Sequence, residues 1–167
     1  ALGTEFTIAC PAFPENGRTV YRGHLFVHDL LLNESGMQNH PLTPMRDANL
    51  LRVLQQQTRR PVGLLRYDTI AAGPGQVATK IRELRSEKIE IAIADALNDD
   101  DLRTLGAGCA DLPLLTGGSG LAIGLPDNYR RQDLLHHTSS AAQLPEIRGG
   151  ALVIAGLFTF LPGRIMH

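Results

Sequence analysis

The sequence predicts an α/β fold: three α/β/α layers around a mainly parallel sheet, with a β-hairpin insertion near the start. Three observations carry that expectation. Short apolar runs alternate with helix-period segments from Val62 to Gly156. The runs are too continuously apolar to leave one face in water, which is the mark of parallel strands covered by helices on both sides. Polar and glycine-rich residues gather just after the runs, where open parallel sheets bind their ligands.

Taken in order, Phe6–Cys10 reads as a strand that stops at Pro11, and the loop Pro11–Thr19 (PAFPENGRT) follows. Pro11 and Pro14 fix φ and remove two donors, so this loop is stiff. Gly17 opens a backbone conformation closed to other residues immediately before Arg18. A rigid loop presenting an arginine at a strand end suits an anion, and a solvated proline-rich turn is the plain alternative. Thr19–Val27, the polar pair His28–Asp29 and Leu30–Asn33 predict a hairpin turning at His28–Asp29. Glu34–Met45 is an ordered loop, and Asp47 caps a helix over Ala48–Thr58 with Leu50, Leu51 and Leu54 as its stripe.

Val62–Leu65 is a short strand. A helix over Gly75–Glu87 follows, with Val77, Ile81 and Leu84 at i, i+4 and i+7. Ile89–Ala94 is the clearest strand and runs straight into Asp95. Asn98–Asp101 caps a helix carrying Leu102 and Leu105. Leu112–Leu115 is a strand leading into Thr116–Gly120 (TGGSG) and a short helix near Leu121–Gly124. Pro126–Ile147 reads as a weak helix plus connector, and Ala151–Ala155 as a last buried strand reaching Gly156.

Composition narrows the function classes. The chain has 167 residues, 43% of them hydrophobic and 20% charged, enough for a core in one domain. A net charge of −1, no Trp and 5% aromatic residues argue against a nucleic-acid platform or an anionic membrane surface as partner. Cys10 and Cys109 lack metal or redox spacing and read as buried thiols in a reducing compartment. The start has no signal-peptide pattern, and Ala151–Leu161 is shorter than the ~20 apolar residues of a spanning helix, so a cytoplasmic protein is expected.

Several motifs bear on chemistry. In TGGSG, glycines and a helix start let N–H groups converge on an anion, with Thr116 and Ser119 adding hydroxyls; a tight βα turn is the alternative. No Lys-Ser/Thr pair follows, so it is not a P-loop, and its spacing is not that of a nucleophile elbow. Gly73–Ala78 (GPGQVA) matches G-x-G-x-x-A, but Arg66–Ala72 intervenes after the strand, so a plain helix start fits better than a dinucleotide site. Asp95 could hold a ligand hydroxyl, act as a base or bind Mg²⁺, or cap the next helix. His24, His28 and His40 show no metal-ligand spacing, and no metal site is expected.

The run PAFPENGRTVYRGHLFVHDLLLNESGMQNHPLTPM, the IADA around Asp95 and TGGSGLAIGL together resemble the four-carbon acid sugar kinase family over roughly Ala1–Gly156. The resemblance implies a bacterial cytosolic enzyme that phosphorylates four-carbon sugar acids with ATP and Mg²⁺, this chain being a fragment from the middle of the family's length. It implies a partial sugar-acid-binding domain over residues 1–150 and the start of a nucleotide-binding region, with an aberrant tail, over 151–167. Asn16, Gly17, Arg18, Thr19, Asp95, Gly117, Gly118 and Ser119 are the expected substrate-binding residues and Gly156 the nucleotide contact; no residue is assigned as catalytic base. The family's opening Asp-Asp strand and its Ser-Thr-Phe-Asp-Ser-Thr loop do not occur, and the sequence departs from the family after Gly156, as a truncation, a shifted reading frame or an appended tail would produce. The chain alone is therefore expected to be inactive. The alternative is a non-catalytic scaffold or binding domain, self-associating through Leu157–Leu161 into a homo-oligomer.

Overall fold

In the computed structural model, residues 3–135 are described, and they fall within one unit spanning Ala1–Leu135. Four parallel strands form the main sheet: β1 (Thr7–Cys10), β5 (Val62–Leu65), β6 (Ile91–Ala94) and β7 (Leu115–Gly117), in the order β5-β6-β1-β7. A separate antiparallel sheet holds β2 (Arg18–Tyr21), β3 (His24–Val27) and β4 (Leu30–Leu31). The helices are α1 (Leu50–Gln55), α2 (Tyr67–Ala71), α3 (Pro74–Ser86), α4 (Asp99–Gly108) and α5 (Pro126–Arg131). The mixed α/β architecture with a central parallel sheet is as expected.

Pleating sorts the sheet's side chains into two faces. The register pairs Ile8 with Ala92 and Leu115, and Gly63 with Ala92, so these four share one face. That face is closed by α3, since Gly63 has no room for a side chain beside Ile89 and Leu84. Leu102 and Leu105 of α4 are fully buried, as are Ile8, Cys10 and Val77. The opposite face, with Ala9, Leu64 and Ile93, meets α1, and Leu51 of the helix and Leu64 of β5 both crowd Gly23. Helix α1 has only six residues, none fully buried, so this face is the more thinly covered one.

Local signals explain most element ends. Asn98 forms a full capping box with Asp101: its side chain accepts from the Asp101 N–H at 2.9 Å, and the Asp101 carboxylate accepts from the Asn98 N–H at 3.1 Å. Val77, Ile81 and Leu84 are buried as the period requires. Gly73 and Pro74 simply start α3, in keeping with a plain helix N-terminus.

Four expectations need correction. The inserted hairpin is a three-stranded meander, because a second turn at Arg22–Gly23 splits Thr19–Val27; both residues have left-handed φ, 51° and 72°. Asn49, rather than Asp47, caps α1, accepting from the Arg52 N–H at 3.1 Å, while Asp47 accepts from the Asn49 N–H and pairs with Arg52. Residues Arg66–Ala72, given no element from the sequence, contain α2. The strand expected over Leu112–Leu115 lies at Leu115–Gly117, since Pro113 has no N–H for a ladder and the register aligns Leu115 with Ile8. The strand over Ala151–Ala155, the boundary at residue 150 and Gly156 lie outside the described residues.

Candidate functional site

The three strand-end segments emerge from one edge of the parallel sheet. Strands β6, β1 and β7 are neighbours, with Ala9 aligned to Ile93 and Cys10 to Gly117, so Pro11, Asp95 and Gly118 all leave the carboxyl edge. The first and third segments touch. The Gly118 N–H donates to the Cys10 carbonyl at 3.1 Å, and a methyl on Gly120 would lie 2.5 Å from the Ala12 carbonyl oxygen. Thr116, Gly117, Gly118 and Ser119 are exposed, and a 3-10 turn runs from Ser119 to Gly124. Because the Gly118 N–H is already bonded, the anion-binding donor expected there is committed to the sheet. The start of the 3-10 turn leaves the Ser119 N–H without an intrahelical partner.

The loop after β1 is shaped by paired backbone bonds. Phe13 and Arg18 exchange N–H to carbonyl bonds of 2.8 and 3.1 Å around a 3-10 turn at Pro14–Asn16. Gly17, at φ 69°, closes this turn, and its Cα faces the His28 ring so closely that a side chain would overlap the imidazole. Asn16 and Arg18 are exposed. Arg18 alternates onto the face of β2 that carries buried Val20, whereas Thr19 points to the other face with Phe26. None of the ion pairs among the described residues involves Arg18.

Asp95 has a different environment. It is completely buried, and both carboxylate oxygens receive backbone donors: Arg22 and Tyr67 N–H to Oδ2 and Gly23 N–H to Oδ1, each at 2.9 Å. Among the readings open from the sequence, capping comes nearest, but the helix it caps is α2, not the one that follows it. Ala96 and Val20 then exchange two backbone bonds of 2.9 and 3.0 Å, laying β2 across the carboxyl end of β6.

The site residues thus divide. Asn16, Gly17 and Arg18 lie on one loop that abuts the segment Gly117–Ser119 at its base, Thr19 faces away from Arg18, and Asp95 is enclosed beneath the meander. Sequence reasoning missed the cluster around the Arg22–Gly23 turn. Tyr21 and Tyr67 meet edge to face at 5.9 Å, the Arg22 guanidinium sits 5.7 Å from the Tyr21 ring centroid, and Arg22 pairs with Asp68 at 3.2 Å. The available signal was the Arg-Gly pair inside an alternating run, which lacks the Asn or Asp of the usual hairpin turn.

Two cavities lie at different ends of the sheet. A groove of about 350 Å³ on the thinly covered sheet face runs past Ala9, Ile93, Leu50 and Leu54 to Pro11 and Thr116, and is too apolar to hold an acid alone. The larger cavity, about 830 Å³, lies at the opposite, amino edge beside Phe6, Arg60 and Lys88. Volume favours the second, but the crevice rule for parallel sheets and the converging loops favour the carboxyl edge. Burial pushes the Cys10 thiol up to about 12, with Asp95 and Asp101 adding to it, and burial does the same for Cys109, also to about 12. Both side chains are closed off from solvent. Among the described residues no three His, Cys, Asp or Glu side chains are grouped to hold a metal ion, and no helix is long and apolar enough to cross a membrane.

Comparison with known proteins gives these features a context. A family profile described as "Sugar-binding N-terminal domain" matches residues 1–125. The chain is 68% identical over 156 residues to a 3-oxo-tetronate kinase of Pseudomonas fluorescens and 65% identical over 156 residues to one of Burkholderia multivorans, each match covering 93% of this chain. It spans only 36% of the length of these curated relatives. Among solved structures, a Haemophilus influenzae protein superposes with a TM-score of 0.72 at 41% identity, over 81% of this chain and 32% of that one. A Bordetella bronchiseptica domain, solved as a domain-swapped dimer with bound citrate, superposes at 0.61 with 26% identity, over 77% and 30%. With three-quarters of its length matched by that profile, the chain belongs to the sugar-binding N-terminal domain family.

Proposed function

We propose that this chain forms the sugar-acid side of an ATP-dependent kinase for four-carbon sugar acids of the 3-oxo-tetronate, threonate or erythronate type. The observation that supports it most is the contact between the Pro11–Arg18 loop and the Thr116–Gly120 segment at the carboxyl edge of the sheet. The relatives' names supply the substrate class. Citrate on the Bordetella domain is consistent with a fold that accepts small hydroxy acids.

In this reading Arg18 holds the substrate carboxylate through charge-assisted hydrogen bonds. Asn16 and Ser119 serve its hydroxyls, and the Ser119 N–H supports negative charge at the start of its turn. Thr19 contributes from the far face of β2, through the shape of the strand rather than alongside Arg18. ATP would supply the phosphoryl group, yet the described residues do not fit it: they include neither a Lys-Ser/Thr phosphate loop nor a grouped set of Mg²⁺ ligands. The chain on its own is expected to bind a tetronate without phosphorylating it.

Calorimetric titration of the chain with 3-oxo-tetronate, threonate and erythronate tests this. Arg18→Ala should weaken binding by about 10- to 100-fold, the worth of a charge-assisted hydrogen bond. An unchanged affinity rejects the Arg18 role, absence of binding by the unsubstituted chain rejects the reading in favour of a non-binding scaffold, and ATP-dependent turnover contradicts the expected inactivity.

A further inference from the structure

Among the described candidate site residues, Asp95 is the one that is fully buried, and its surroundings specify its chemistry closely. Three N–H groups from two remote segments converge on its carboxylate at 2.9 Å each. Arg22 and Gly23 are consecutive left-handed residues, a geometry that turns successive N–H groups toward one anion. The third donor, Tyr67, is the first residue of α2, where an N–H has no partner within the helix. A carboxylate can accept all three bonds. An asparagine of the same shape would accept with one oxygen and set its NH₂ against another donor. Charge and geometry, more than size, select this residue.

We propose that Asp95 is a positioning residue, whose carboxylate latches the Arg22–Gly23 turn to the start of α2 so that β2 carries Arg18 at the carboxyl edge of the sheet. The inference rests on the sugar-acid reading above and changes Asp95 from a ligand-binding group to one that acts through Arg18. The mechanical link is short. Next to Asp95, Ala96 exchanges two backbone bonds with Val20, and Arg18 lies two residues before Val20 on the same face of β2. The other end of β2 is tied by the Phe13–Arg18 bonds. With both ends held, Arg18 has one backbone position; with the turn released, β2 loses the anchor beyond Val20 and rests on the Val20–Ala96 and Phe13–Arg18 bonds alone on that side.

The experiment combines hydrogen exchange with binding on the full chain. In Asp95→Asn the Arg22, Gly23 and Tyr67 amides should exchange at least about tenfold faster, the size expected from losing one hydrogen bond to a charged group, while Ile81 in α3 keeps its rate. Tetronate affinity should fall about tenfold, and the loss should vanish in an Arg18→Ala background, as required of a residue acting through Arg18. Asn98→Ala, which loosens α4 elsewhere, should leave affinity unchanged. Should Asp95→Asn fail to fold, Tyr67→Pro removes a single N–H at a helix position that accepts proline, and faster exchange at Arg22 and Gly23 is expected. Unchanged exchange overturns the latch. Additive losses in the double variant overturn action through Arg18. If the unsubstituted chain binds no tetronate, the sugar-acid reading fails and takes the positioning role with it, while the exchange result still decides whether the latch exists.

Discussion

Gly106→Ala should destabilise the chain although it introduces a better helix former. Gly106 lies within α4 and faces Gly124, the last residue of the 3-10 turn that begins at Ser119. A methyl at Gly106 would stand 2.5 Å from the Gly124 carbonyl carbon and 2.6 Å from its Cα. A relaxed carbon–carbon contact is about 3.5–4.0 Å, so the turn must retreat by about 1 Å. Every obstructing atom is backbone, so no rotamer change relieves the overlap. The retreat also stretches the buried bond from Asn128 Nδ2 to the Gly106 carbonyl, now 2.7 Å. Helix propensity returns about 1 kcal/mol, overpacking costs about 1–3 kcal/mol, and the stretched bond costs about 1 kcal/mol more. The expected net loss is about 1–3 kcal/mol. Urea unfolding followed by far-UV circular dichroism should show a midpoint lower by about 1 M at an unchanged slope. A midpoint that stays or rises would mean that propensity wins and that α4 and the turn are not in tight contact.

Three further outcomes are expected. Gly17→Ala forces a side chain into a left-handed position beneath the His28 ring, and should lower stability by about 1–2 kcal/mol and weaken tetronate binding; calorimetry showing wild-type affinity would separate loop shape from function. Asp47 is held down to about 2 by its bonds from Arg52 and the Asn49 N–H. A carboxyl with a folded value below its unfolded one stabilises above the unfolded value, so its contribution to α1 should vanish as pH falls from about 4 toward 2; the protection of the α1 amides against exchange, relative to their intrinsic rates, should fall across that window in the wild type and not in Asp47→Asn. Cys10 and Cys109, buried with thiols pushed up to about 12, should resist a thiol-alkylating reagent at neutral pH until urea unfolds the chain, and labelling of the native protein would contradict that burial.

What was legible without a structure followed from local periodicity. Val77, Ile81 and Leu84 repeat at helix spacing because that stripe faces a sheet, and Ile91–Ala94 is continuously apolar because both its sides are covered. Asn98 and Asp101 carry their capping box in a four-residue span. The Pro11–Arg18 loop and TGGSG were recognisable for the same reason: glycine and proline restrict the chain wherever they stand. Register was not legible. Moving β7 from Leu112–Leu115 to Leu115–Gly117 required the ladder with Ile8–Cys10, and the second turn of the meander required a partner for the Arg22 and Gly23 N–H groups.

By itself, therefore, the sequence determined the alternation of strands and helices, the stiff loop before Arg18 and a family resemblance resting on contiguous motifs, all properties of residues near one another along the chain. The tertiary structure alone decided which polar groups are free. Asp95 and the Gly118 N–H look available in one dimension, yet partners 28 to 108 residues away, Tyr67 and Cys10 among them, have already taken them. A buried donor or acceptor must find its bond wherever the fold brings one, and separation in sequence gives no measure of that distance.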